Sequence, residues 1–355
     1  MTDLLELAAE LVAIGSVSHR ERALADRVEA ELSSVGDLEV TRVEDNVVAR
    51  TSFGRPRRLA LAGHLDTVPP SGNEHPRIDG DVLHGLGSAD MKGGLAVMLS
   101  LAAEPREPVC DVTYVFYACE EVASRHSGLR VLERERPDLL SADAAVLAEP
   151  TGALVEAGCQ GVLRLEVVMR GVRAHGARPW TGRNAIHRLA PVLELVAGFE
   201  ERRPVLDGCE YREVLQAVGV SGGVAGNVVP DEARLALSHR FAPDRDADEA
   251  LEAIRAHLAP SLSAELGDEV LVEDRAPAAR PLLGDPLLTA LVAASGAPPR
   301  AKLGWTDVAF FASRGVPAAN FGPGDPLVAH RSDERVGRDD LEAVHRALSQ
   351  VVYGR

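Results

Sequence analysis

The chain has 355 residues, 46% of them hydrophobic and 26% charged, with a formal net charge of −16. That length passes the roughly 250–300 residues at which a single core stops growing, so more than one domain is expected. The acidic surplus argues against nucleic acid or an anionic membrane surface as a partner, and no run approaches the roughly 20 apolar residues that span a bilayer.

In chain order, MTDLLELAAELVAIGSVS carries acids on an amphipathic spacing and reads as a first helix rather than a leader peptide. Leu4, Leu5, Ala8, Leu11 and Val12 share one face; Leu24, Val28 and Leu32 line a second helix that Gly36 stops. Strand-like runs over 46–50, 59–63, 112–118 and 144–148 alternate with helical ones, including a helix predicted from Met91 to Ala103. The apolar runs Leu59–Ala62, Val112–Tyr117 and Ala144–Ala148 read as buried strands of a parallel sheet. The first part of the chain is therefore expected to be α/β with a mostly parallel central sheet.

The character changes after Glu149-Pro150. Val162–Arg170 reads as a half-exposed antiparallel strand, Asn184–Phe199 as a helix, and Val214–Val220 and Ala233–Phe241 as strands joined across SGGVAGNVVPD. Asp246–Leu258 reads as a second helix and Glu269–Val272 as a last strand. This is an α+β sandwich over 161–277, inserted between 1–160 and 278–355. From about Pro281 the α/β character returns, closing with strand PAANF and helix Asp339–Val352. Cys110, Cys119, Cys159 and Cys209 form no CxxC pair and are expected to be reduced thiols in a cytoplasmic protein. Lys92 and Lys302 are the only lysines, which weakens any Schiff-base chemistry.

Five stretches end an apolar run with a residue that binds metals or moves protons: GHLDTVP, GSADMKGG, ACEEV, LAEP and GPGDPLVAH. They supply His64, Asp66, Asp90, Glu120, Glu121, Glu149 and His330, all expected at the carboxyl edge of one sheet, where ligands bind. His64 and Asp66 are two apart, so Asp66 is expected to accept the second ring N–H of a metal-binding His64. Asp90, with two oxygens, is placed to bridge two ions. Of the adjacent pair Glu120 and Glu121, one can bind metal while the other stays free as a base. Such nitrogen and oxygen donors suit zinc, with cobalt or manganese as substitutes. Cys119 is read as filler, and Trp180 and Trp305 as packing residues.

At these residues the chain resembles the dinuclear zinc aminoacylase and exopeptidase family, over essentially its whole length. The resemblance implies a zinc-exopeptidase-like catalytic domain and an inserted dimerisation domain, hence a homodimer with two zinc ions per subunit. By that likeness His64 and Glu149 hold one zinc, Glu121 and His330 the other, and Asp90 bridges. Asp66 orients His64, and Glu120 is the general base. His175 matches a histidine that reaches into the partner subunit's site. Asn227, Arg240 and the turn from Gly304 to Thr306 match positions that bind the acyl substrate. The stretches EAGCQG, GNVVPDE, GWTDVAFF and NFGPGDPLVAH point to members that hydrolyse N-succinyl-LL-2,6-diaminopimelate to succinate and LL-2,6-diaminopimelate. The succinyl carboxylate needs a guanidinium, from Arg240 or Arg178. Other N-acyl amino acid deacylases or dipeptidases are the alternative within the family, and a catalytically dead metal-stabilised dimer is the alternative outside enzymes. Trp305, Gly176 and Cys119 depart from the usual family residues, which touches the acyl and amine pockets rather than the ligands.

Overall fold

The computed structural model describes residues 3–354. The chain divides into two compact units. The first comprises the residues up to Gly158, Pro281–Arg300 and everything from Asp307; the second is Cys159–Arg280 with Ala301–Thr306.

The first unit is built on an eight-stranded sheet in the order Glu39–Val43, Asn46–Arg50, Asp111–Tyr117, Arg58–His64, Ala144–Leu147, Ala318–Asn320, Glu156–Ala157, Arg300–Ala301. Its four middle strands, from Asp111–Tyr117 to Ala318–Asn320, run parallel. Every residue of Asp111–Tyr117 is buried, which explains an apolar run without alternation. Leu59, Leu61, Val112, Phe116 and Val146 of the sheet share one cluster with Leu5, Leu11, Leu95, Leu288, Leu341 and Leu348 of the helices. Two glycines set the approach of helix Gly93–Ala102 to the sheet. A Cβ on Gly63 would lie 2.7 Å from Leu95 Cδ2, and one on Gly94 would lie 2.3 Å from the carbonyl oxygen of Ala148. The helix is thereby held against the strand ends that carry His64 and Glu149.

That helix starts at Gly93, later than its sequence pattern suggests. Residues Ser88–Lys92 form a distorted turn in which Asp90 and Met91 leave helical geometry, at φ −118° and −136°. Helix Leu4–Val12 begins where expected, with Asp3 accepting from the backbone N–H groups of Leu5 and Glu6.

The second unit is a four-stranded antiparallel sheet in the order Val214–Gly222, Glu232–Phe241, Gly161–Arg170, Glu269–Ala276. Leu163, Leu165, Val167, Leu235 and Leu237 form one core with Leu189, Val192, Leu251 and Ile254 of helices Leu189–Ala197 and Ala247–Leu258. The first of these helices is shorter than expected, because the Asn184 side chain accepts from the N–H groups of Ile186 and His187 and holds a turn there. The last strand is longer than expected, running to Ala276 and pairing with residues 162–168 of the partner strand. The return to the first unit is also interrupted. Residues 301–306 pack with the second unit, where Lys302 accepts from Gln160 N–H at 3.3 Å and Trp305 Nε1 donates to Pro277 at 3.2 Å. Trp180 corrects the sequence reading: it is 77% exposed and belongs to neither core cluster among the described residues. No helix among the described residues is long and apolar enough to cross a membrane.

Candidate active site

Neighbouring parallel strands deliver the chemistry to one edge of the first unit's sheet. His64 ends Arg58–His64; Glu120 and Glu121 follow Asp111–Tyr117; Glu149 follows Ala144–Leu147; His330 lies beyond Ala318–Asn320. Asp90 arrives from the distorted turn before helix Gly93–Ala102. Three sets of these groups each bring their donor atoms within 4.8 Å: His64 with Asp90 and Glu149, Asp90 with Glu121 and His330, and His64 with Glu120 and Glu121. Asp90 belongs to the first two sets, one oxygen 3.0 Å from His64 Nε2 and the other 3.4 Å from His330 Nε2. Glu121 Oε1 lies 2.8 Å from the same His330 nitrogen. Two imidazoles and three carboxylates around the shared Asp90 carboxylate are a donor set that fits a pair of divalent cations.

The role expected of Asp66 needs correcting. His64 Nδ1 is 2.9 Å from the backbone carbonyl of Asp66, while the Asp66 carboxylate stands 3.6 Å away. That carboxylate instead accepts the N–H groups of Glu120 at 2.9 Å and Glu121 at 3.0 Å, and the Ser18 hydroxyl at 2.7 Å. The backbone of Asp66 fixes the imidazole, and its side chain fixes the two glutamates. A residue that sequence reasoning missed supports the same loop. Buried Glu21 accepts from the N–H of Cys119 at 3.1 Å and from its thiol at 3.2 Å. Cys119 is thereby engaged away from the donor sets, and burial pushes its thiol up to about 12. Asp307, also missed, is a buried carboxyl that burial raises to about 6. The Thr-Asp pair in GWTDVAFF was its one sequence signal. Glu334 is a third such residue, a buried carboxyl that burial raises above its usual range.

Protons follow the charges. Burial raises the Glu120 carboxyl well above its usual range, and the Glu149 carboxylate adds to this against the pull of His64. Burial opposes a charged His64, yet Asp90 overrides it and holds the imidazole well above 6.5. Against the same burial, the hydrogen bonds from His330 and His64 keep Asp90 below the usual carboxylate range. Asp90 first and Glu121 second lift His330 to about 10. A group raised in this way stabilises the fold fully below its unfolded value of 6.5, and the contribution fades as pH climbs through about 10. Chelated protein should therefore lose thermal stability across that window, modestly because His330 is half-exposed. The check is melting curves of chelated wild type and chelated His330→Gln. The advantage of the wild type should shrink as pH rises; parallel curves would show that His330 is not the cause.

The remaining candidate residues lie in the second unit. His175 pairs with Val228 in a short antiparallel bridge, and its Nδ1 accepts from Ala177 N–H at 3.0 Å, which leaves the proton of the neutral ring on Nε2. Asn227 accepts from Gly176 N–H at 2.7 Å, and a Cβ on Gly176 would stand 3.0 Å from that same oxygen. Arg178 is exposed and donates its backbone N–H to His175 at 2.8 Å. Arg240 is half-buried in Glu232–Phe241, with burial and then Arg164 lowering its affinity for a proton. It has no carboxylate within ion-pair distance among the described residues. Gly304 and Thr306 belong to the segment 301–306, where Thr306 is buried.

Comparison with known proteins gives this geometry a context. The chain is 48% identical over 353 residues to a protein of Mycobacterium tuberculosis provisionally named a succinyl-diaminopimelate desuccinylase, covering 99% of this chain and 98% of that one. It is 44% identical to the succinyl-diaminopimelate desuccinylase of Corynebacterium glutamicum, over 98% and 95% of the two chains. Among solved structures, a tripeptidase of Staphylococcus aureus shares the fold with a TM-score of 0.79 at 21% identity, covering 99% of this chain and 97% of the other. The sequence pattern of one peptidase family matches residues 60–354, a span that includes every donor described above. The chain belongs to Peptidase family M20/M25/M40.

Proposed function

We propose that the chain hydrolyses the amide bond of N-succinyl-LL-2,6-diaminopimelate, releasing succinate and LL-2,6-diaminopimelate, in a cytoplasmic route to diaminopimelate and lysine. What carries the reaction type is a part-buried carboxyl with a raised proton affinity, Glu120, beside two donor sets that share Asp90. The substrate rests on the relatives at 48% and 44% identity.

In this reading His64 and Glu149 would hold one zinc, Glu121 and His330 would hold the second, and Asp90 would be shared between them. Once bound, such a pair supplies Lewis acidity that polarises the amide carbonyl and acidifies water. Glu120 takes the proton of the attacking water and returns it to the leaving amine. Asp66 aims that base through the backbone N–H of Glu120, and through its own carbonyl it holds the His64 ring. His175, Arg178, Asn227, Gly304 and Thr306 are assigned to substrate.

A homodimer through the second unit completes the proposal. Strand Val214–Gly222 lies at the edge of its sheet, and Val218 and Val220 are each 65% exposed there. An apolar edge strand is a template for pairing with a second copy.

Arg240 carries the specificity test. A succinyl group differs from an acetyl group by a carboxylate that must be paired when it leaves water. Arg240 is a half-buried guanidinium with no carboxylate of its own, and its fork binds an anion in a way lysine does not reproduce. The zinc-loaded wild type should prefer the succinyl over the acetyl form of the same amine in kcat/KM. Arg240→Lys should lose about 10–100-fold on the succinyl form only, the scale of a charge-assisted hydrogen bond. An acetyl preference, or faster turnover of small dipeptides, would replace desuccinylation by another deacylase or dipeptidase activity.

A further inference from the structure

We infer that Glu334 is the positioning residue for Asp90, setting the carboxylate that two cations would share. The inference rests on the reading that Asp90 bridges. Glu334 lies four residues beyond His330 and is 2% exposed. Its Oε1 accepts the N–H groups of Ala89 at 3.0 Å and of Asp90 itself at 2.9 Å, and its Oε2 accepts Gly87 N–H at 3.0 Å. The Glu334 carbonyl accepts a fourth N–H, from Gly85, at 3.2 Å.

These bonds answer a need that the fold creates. Asp90 and Met91 leave helical geometry. Ser88 and Lys92 still donate to the carbonyls of Gly85 and Gly87, but no helix ladder takes the N–H groups of Gly87, Ala89 and Asp90, which go to Glu334. A carboxylate that accepts three backbone N–H groups replaces that ladder and holds the turn in one shape. The same side chain ties the turn to the segment carrying His330, since Glu334 donates its own N–H back to Arg331 at 3.2 Å. Asp90 and His330 come from distant parts of the sequence, and each contributes to the donor set with Glu121. Glu334 therefore fixes the spacing of two donors without touching either side chain. Such outer contacts typically govern metal affinity by 10–100-fold.

The test uses full-length protein stripped of metal and titrated calorimetrically with Zn²⁺, and separately loaded with Co²⁺ for its visible absorption spectrum. Wild type should take up two equivalents. Glu334→Ala should bind at least one equivalent about 10–100-fold more weakly and show a shifted Co²⁺ spectrum. Glu334→Gln keeps the shape and one acceptor oxygen but turns an amide toward Gly87 N–H, so it should fall between the two. It also decides the matter if Glu334→Ala does not fold. A Glu334→Gln protein with wild-type affinities and spectrum, whatever its melting temperature, would reduce Glu334 to a structural role and overturn the inference. A wild type that takes up fewer than two equivalents would sink the bridging role of Asp90, and this inference with it.

Discussion

Glu120→Gln should keep its full complement of cations and lose about 10²–10⁴-fold in turnover, the usual contribution of a positioned general base. The two adjacent glutamates are separable by their surroundings. Glu121 is engaged by His330 at 2.8 Å and shares a donor set with Asp90. Glu120 is part-buried, and desolvation raises its proton affinity well above the usual range, as suits a group that must accept a proton and give it up again. Glutamine preserves shape and the backbone bond to Asp66 while removing the base. Glu121→Gln makes the contrast, since it should lower metal content as well as rate. Elemental analysis with a rate assay on both variants gives the answer. A Glu120→Gln protein that has lost a cation, with Glu121→Gln retaining both, would exchange the two roles.

The residues of this site were legible in the sequence because strands of a parallel sheet are apolar to their ends, so a histidine or carboxylate at each end stands out. Leu59–Ala62 followed by His64, and Val112–Tyr117 followed by Glu120, need no partner to be recognised. What holds those residues in place left no such trace. The Asp66 carboxylate reaches the N–H groups of Glu120 and Glu121, 54 and 55 positions away, and Glu334 reaches the turn before Met91 across some 245. A bond from a carboxylate to distant backbone has no periodicity to read. Helix starts failed for the same reason, since Gly93 begins a helix only because the preceding turn is satisfied elsewhere. The segment 301–306 follows the second unit through contacts with Gln160 and Pro277 that no local composition signals.

His175→Ala should lower turnover by about 10²–10³-fold, the cost of losing one donor to a developing oxyanion, and the loss should be repaired by a partner subunit. His175 is exposed on the second unit, with the proton of its neutral ring on Nε2, the nitrogen Ala177 leaves unused. A donor presented on an exposed bridge suits a site completed by a second copy, and the proposed pairing through Val214–Gly222 supplies that copy. In a mixed dimer of His175→Ala and Glu120→Ala, one site combines an intact Glu120 with an intact His175 from across the interface, and the other site has neither. Random exchange of equal amounts makes half the dimers mixed, so activity should recover to about a quarter of wild type from two nearly inactive parents. Differently tagged copies establish that subunits have exchanged, and initial rates before and after mixing report the recovery. Full exchange with no recovery would place His175 in its own subunit's site or outside catalysis. Recovery near a quarter would require both the dimer and a histidine acting across it, because no site within either parent subunit holds both groups.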